Sequence, residues 1–325
     1  MFVPRISLIK DELESVEKNL NKLMKKLEAQ DYCLNFNGTF LNATLLLLSY
    51  RLFSNKRKKF IIHLATALDG IYIASSIHNR VIDNSMFQTT DNYKKENKIS
   101  ILIADHILST TITFLLKEAK PPVAQPIYNT LLNMCEGGLL KIKSDYSIET
   151  TEKDYINMVE KGMASITEMS CKSGGIIGKA TDKEILLLSN YGRAIGIAFS
   201  IGEDLLEIKS IKKNKEMENR SSEKLKVTLP LIYTLNKATQ EDRFKLDKFY
   251  SSPDRPGLRD DIKKIIDKYE GLKYASKKVS TYVEYGKKQL TEIKTCEAKK
   301  ALYDLGNLIL TGEWWDNERS QRRII

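Results

Sequence analysis

The chain has 325 residues, 42% of them hydrophobic, enough apolar mass to bury a large core. Its formal net charge of +10 points to polyanionic partners, yet no zinc-finger, RRM-like or KH signature accompanies it, so nucleic acid is set aside and a solvated lysine-rich surface is the plain reading. Cys33, Cys135, Cys171 and Cys296 are scattered without metal spacing and read as small buried apolar residues of a reducing, cytoplasmic protein; no signal peptide and no 18-residue apolar run is apparent, so no membrane span is expected.

Ile9, Leu13, Val16, Leu20, Leu23 and Leu27 recur at three- and four-residue steps and predict an amphipathic opening helix over roughly 5–30. The same reasoning predicts helices over roughly 39–53, 58–83, 97–119, 123–143, 152–178, 183–209, 226–246, 258–270 and 272–311, the last broken once. Pro121, Pro122, Pro126, Pro230, Pro253 and Pro256 are taken as boundaries between them. Asn84–Asn97 and Lys209–Lys226 are polar and read as loops. The tail, Trp314-Trp315 followed by Arg319, Arg322 and Arg323, is expected to pack its tryptophans; contact with a membrane surface is the alternative. No alternating strand pattern of useful length appears, so the expectation is one all-α domain spanning 1–325.

Two helical segments carry related acidic motifs. The second, Phe199-Ser200-Ile201-Gly202-Glu203-Asp204-Leu205-Leu206-Glu207, keeps three carboxylates, with Glu203 and Glu207 one turn apart on one face. The first, Ile77-His78-Asn79-Arg80-Val81-Ile82-Asp83, keeps only Asp83. Taken alone, an acidic stretch on a helix is more often a solvated face than a metal site, and a lone His78 is more often structural than a ligand.

The surrounding blocks raise the second motif above that. Tyr191-Gly192-Arg193-Ala194-Ile195-Gly196-Ile197-Ala198, Lys226-Val227-Thr228-Leu229-Pro230-Leu231-Ile232, Tyr155 followed by Glu160-Lys161-Gly162, and Ala104-Asp105-His106 resemble, in order and spacing, the trans-isoprenyl (polyprenyl) diphosphate synthases. The resemblance covers roughly 35–240 and implies a helical bundle of the isoprenoid-synthase type around a central cavity. It implies that paired DDxxD helices hold Mg2+ around an allylic diphosphate, which ionises while isopentenyl diphosphate waits nearby. Transferred residue by residue, it places metal at Glu203, Asp204, Glu207 and Asp83, and diphosphate at Lys161, Lys226 and Arg80. Small residues at Ser75 and Ala74, the chain-length gate, imply a deep apolar tunnel.

This chain departs from that pattern at Asn79 and Arg80, which replace two aspartates of the first motif. It departs again at Thr39, Phe40 and Asn42, where the family's isopentenyl-diphosphate set carries cations. At ~4 Å and an effective dielectric of roughly 20, each unit-charge pair is worth about 4 kcal/mol, so turning three negative charges into none is enough to undo a magnesium cluster on that side. An ion pair from Arg80 to Glu203 or Glu207 is expected instead, with Lys161 and Lys226 available to the same carboxylates. The sequence thus supports an impaired or regulatory subunit paired with an active prenyl diphosphate synthase in a homo- or heterodimer. The alternatives are a class I enzyme ionising one allylic diphosphate at the second motif with Mg2+, and a prenyl-lipid binding protein.

Overall fold

The computed structural model describes residues 7–27, 40–82, 93–144, 147–210, 226–251 and 258–315; Cys33, Thr39, Asp83 and the basic tail lie outside them. Among the described residues the regular structure is helical throughout, with no strand. The opening amphipathic helix α1 (Lys10–Lys26) buries Leu13, Val16, Leu20 and Met24. Its buried Glu12 pairs with Arg51, and its Asp11 with Arg57 at 2.7 Å. Arg51 closes α2 (Leu41–Arg51), in which every residue from Leu41 to Tyr50 is buried. A helix buried all round belongs at the centre of a bundle, and α2 sits there.

Around it run α3 (Lys59–Ile82), α4 (Tyr93–Glu118) and α5 (Pro121–Ser144), then α6 (Glu152–Val159), a π-helical turn (Glu160–Ala164) and α7 (Ser165–Gly178). The long α8 (Asp182–Ser210) packs between α7 and the later α12, so both of its apolar faces are used. Next come α9 (Leu229–Lys237), α10 (Gln240–Ser251), α11 (Leu258–Lys268), α12 (Gly271–Leu290) and α13 (Glu297–Thr311). Trp314 and Trp315 follow and are buried, the Trp315 ring lying 5.3 Å from that of Phe199 and directly over Gly202 of α8. The tail therefore packs its tryptophans, as expected.

Several boundaries differ from the sequence reading. The helix expected over 152–178 is interrupted at Gly162, whose ψ of −110° breaks the helical path. The helix expected over 226–246 is two, because the chain is extended at Ala238 and Thr239 accepts and donates bonds at the start of α10. Pro126 lies inside α5 rather than between helices. Cys171 is buried as expected, but Cys135 is exposed. Three helices are also long and apolar enough to cross a membrane by length and composition: α3, most of α4, and α8. In α3 and α8 most of that apolar surface is covered by neighbouring helices; in α4 most is not.

Candidate functional site

The acidic motif lies near the C-terminal end of α8. Glu203 and Glu207 are exposed on one face, while Asp204, about 100° round the helix, turns inward and is half-buried. Its Oδ2 accepts a 2.7 Å hydrogen bond from the Tyr155 hydroxyl on α6 and a 3.2 Å bond from the Leu229 amide at the start of α9. Burial pushes the Asp204 carboxyl up to about 7; the Glu207 charge adds to the rise, and the Tyr155 and Leu229 bonds and the Lys226 charge oppose it. Tyr155 is buried, and desolvation followed by the Asp204 charge drives its phenol well above the usual range. Three helices that are remote in sequence are thus joined at one carboxylate oxygen.

Lys226, half-buried, precedes α9 by three residues and lies within electrostatic reach of Asp204. Lys161 does not go to the acidic motif. It pairs with Glu136 on α5, where Gly137 lets the α5 backbone meet the π-helical turn. A Cβ at Gly137 would stand 2.8 Å from the Gly162 nitrogen.

The first motif ends α3. His78 Nε2 lies 3.1 Å from Asp105 Oδ1 on α4, the structural role expected of a lone histidine. Asn79 and Arg80 are half-buried beyond it. Ala74 is fully buried and Ser75 half-buried one turn earlier. The ion pair from Arg80 to Glu203 or Glu207 stands as an expectation from the sequence.

At the start of α2, Phe40 adopts a left-handed conformation (φ 37°) and Asn42 is completely buried. Asn42 faces Asp69 of α3, itself buried, whose Oδ2 accepts the Ala43 amide at 3.3 Å. Burial pushes the Asp69 carboxyl up to about 7, against the stabilising contacts of Asn42 and Ala43. The Asn42 amide and Asp69 Oδ1 make no hydrogen bond that meets normal geometry.

The sequence reading gave no role to Asp69 or Glu136 and missed the pairing role of Tyr155. Asp69 carried a usable signal, being the single acid inside the apolar run from Ile61 to Ile77. Glu136 carried none, since only the glycine contact places it near Lys161.

Among the described residues no three His, Cys, Asp or Glu side chains gather into a metal cage. Glu203 and Glu207 form a two-armed oxygen face, and this fits a hard cation that completes its shell with water and phosphate oxygens better than one held by protein alone.

The chain matches the polyprenyl synthetase family over residues 25–269. It is 25% identical to the short chain isoprenyl diphosphate synthase of Methanothermobacter thermautotrophicus, over 77% of this chain and 79% of that one. It is 24% identical to heptaprenyl diphosphate synthase component 2 of Bacillus subtilis, over 75% and 73%. The fold superposes on a decaprenyl diphosphate synthase from Rhodobacter capsulatus with a TM-score of 0.83 at 22% identity, covering 95% of this chain and 99% of that one. With well over half of its length in the match, the chain belongs to the polyprenyl synthetase family, the polyprenyl diphosphate synthases of isoprenoid biosynthesis.

Proposed function

We propose that this chain is a non-condensing, cytoplasmic subunit of a polyprenyl diphosphate synthase, acting beside an active prenyltransferase. Asn42 carries the proposal. It occupies a position where the resemblance implies a cation for isopentenyl diphosphate, and it is an uncharged side chain sealed inside the bundle against Asp69. A diphosphate with about three negative charges gains nothing from a neutral amide backed by a carboxylate.

A partner is supported from two sides. The Bacillus subtilis relative is named as one component of its synthase. In addition, α4 and α5 leave Leu102, Leu116, Leu132 and Leu139 between 61% and 70% exposed, with Ile142 close behind. Large apolar side chains left this exposed on two successive helices are what an interaction surface would use. Light scattering on the chain alone and mixed with an intact synthase of the same organism tests the pairing: a stable mixed dimer supports it, and two species that never associate contradict it.

The second reading, ionisation of one allylic diphosphate, is favoured by the exposed Glu203–Glu207 face and by Lys226 beside it. Bound there, Mg2+ would neutralise charge on a departing diphosphate. Glu203 and Glu207 would hold the cation, and Lys226 would meet a phosphate oxygen directly. Asp204 keeps α9, and so Lys226, at that face. Release of pyrophosphate from farnesyl diphosphate by the isolated chain with Mg2+ is the outcome this reading requires.

A further inference from the structure

The three carboxylates of the second motif are not equivalent. Glu203 and Glu207 share one exposed face of α8. Asp204 points into the bundle, and its Oδ2 accepts from both Tyr155 at 2.7 Å and Leu229 at 3.2 Å. A carboxylate oxygen has two lone-pair sites, so these two donors fill it and leave none of that oxygen for a cation. Each donor also belongs to a segment that carries a lysine. Leu229 lies three residues after Lys226, whereas Lys161, six residues after Tyr155, is taken by Glu136. The α9 N-terminus has no side-chain cap of its own, since Thr228 makes no capping bond, and Asp204 supplies one from another helix.

We propose that Asp204 is a positioning residue rather than a metal ligand: it clasps α6 and the start of α9 onto α8, and so holds the segment bearing Lys226 against the Glu203–Glu207 face. The diphosphate part of this statement rests on the reading of the site given above; the clasp does not.

The two roles make opposite demands on Asp204→Asn. An amide oxygen still accepts from Tyr155 and Leu229, whereas it is a poor substitute for an anionic metal ligand. The experiment compares Asp204→Asn, Asp204→Ala, Tyr155→Phe, Glu203→Gln and Glu207→Gln in the full chain. Two readouts are taken: amide hydrogen exchange by mass spectrometry, and calorimetric binding of inorganic pyrophosphate with and without Mg2+. Asp204→Ala is expected to speed exchange over 152–164 and 226–237 about tenfold or more, the equivalent of losing one buried bond network of roughly 1.4 kcal/mol. Tyr155→Phe, which keeps the ring, gives a smaller rise confined to 152–164, and Asp204→Asn restores near wild-type exchange. Glu203→Gln and Glu207→Gln leave exchange unchanged and remove the Mg2+-dependent part of pyrophosphate binding, which Asp204→Asn keeps to within about threefold.

Asp204→Asn that loses Mg2+-dependent binding as fully as Glu203→Gln, with exchange unchanged, overturns the proposal. Unchanged exchange in Asp204→Ala also overturns it. If Asp204→Ala fails to fold, Tyr155→Phe and Asp204→Asn still decide the question. Wild-type protein that binds no pyrophosphate with Mg2+ refutes the diphosphate reading of the site, while the exchange comparison judges the clasp separately.

Discussion

A carboxylate buried against neutral partners costs the fold free energy at neutral pH, and Asp69 is the clearest case in this chain. Its carboxyl is raised from 3.8 to about 7 by burial. Between those two values the folded chain keeps a proton that the unfolded chain releases, so stability falls as pH rises from ~4 to ~7 and is flat above. A shift of that size corresponds to about 4 kcal/mol at most. Asp69→Asn, which can still accept from Ala43, is therefore expected to raise the midpoint of urea denaturation at pH 8 and to change it little at pH 4. At the second motif, Gly202 lies under the Trp315 ring, and any Cβ there meets it. Gly202→Ala should cost about 1–3 kcal/mol and quench or shift tryptophan fluorescence, read in the same denaturation experiment. The sequence made the residue types of this motif legible, and its spacing put Glu203 and Glu207 on one face. It left the inward partner of Asp204 hidden, because Tyr155 and Leu229 reach it from 49 and 25 residues away and no local pattern encodes such distances.

Helix existence was legible in the hydrophobic period, and helix continuity was not. The break between α6 and α7 falls at Gly162, whose backbone leaves the helical path, and neighbouring helices close in around it. Gly137 on α5 and Gly196 on α8 press on either side of the π-helical turn, Gly137 against Gly162 and Gly196 against Ala164 and Thr167. Helices that approach this closely do so only where a side chain is missing. Gly196→Val should therefore destabilise the fold by roughly 2–4 kcal/mol, by thermal or urea unfolding, and Gly137→Ala by less. Pro126 misled for a related reason. It stands in the second turn of α5, where it forgoes the bond its amide would give to the Pro122 carbonyl, and the helix runs through it all the same. The break in α12–α13, by contrast, was anticipated, and the chain leaves the helix between Leu290 and Glu297.

Seen whole, the molecule keeps the bundle of a polyprenyl synthetase and distributes its charge unevenly around it. The carboxylate helix α8 retains Glu203 and Glu207 at an exposed face, while the start of α2 presents the sealed Asn42–Asp69 pair. The exposed leucines of α4 and α5 are where the proposed pairing would be made. Leu102→Glu together with Leu116→Glu should weaken any homo- or heterodimer at least tenfold in sedimentation velocity, while leaving the helical circular dichroism unchanged, because both side chains are more than two-thirds exposed in the isolated fold.

The most direct measurement follows incorporation of labelled isopentenyl diphosphate into extractable prenyl product. The purified full-length chain is given Mg2+ and geranylgeranyl diphosphate, first alone and then with an intact synthase of the same organism. The account predicts no product above background from the chain alone, and product whose amount or length changes when both proteins are present. Repeated turnover by the unmodified chain on its own would contradict it.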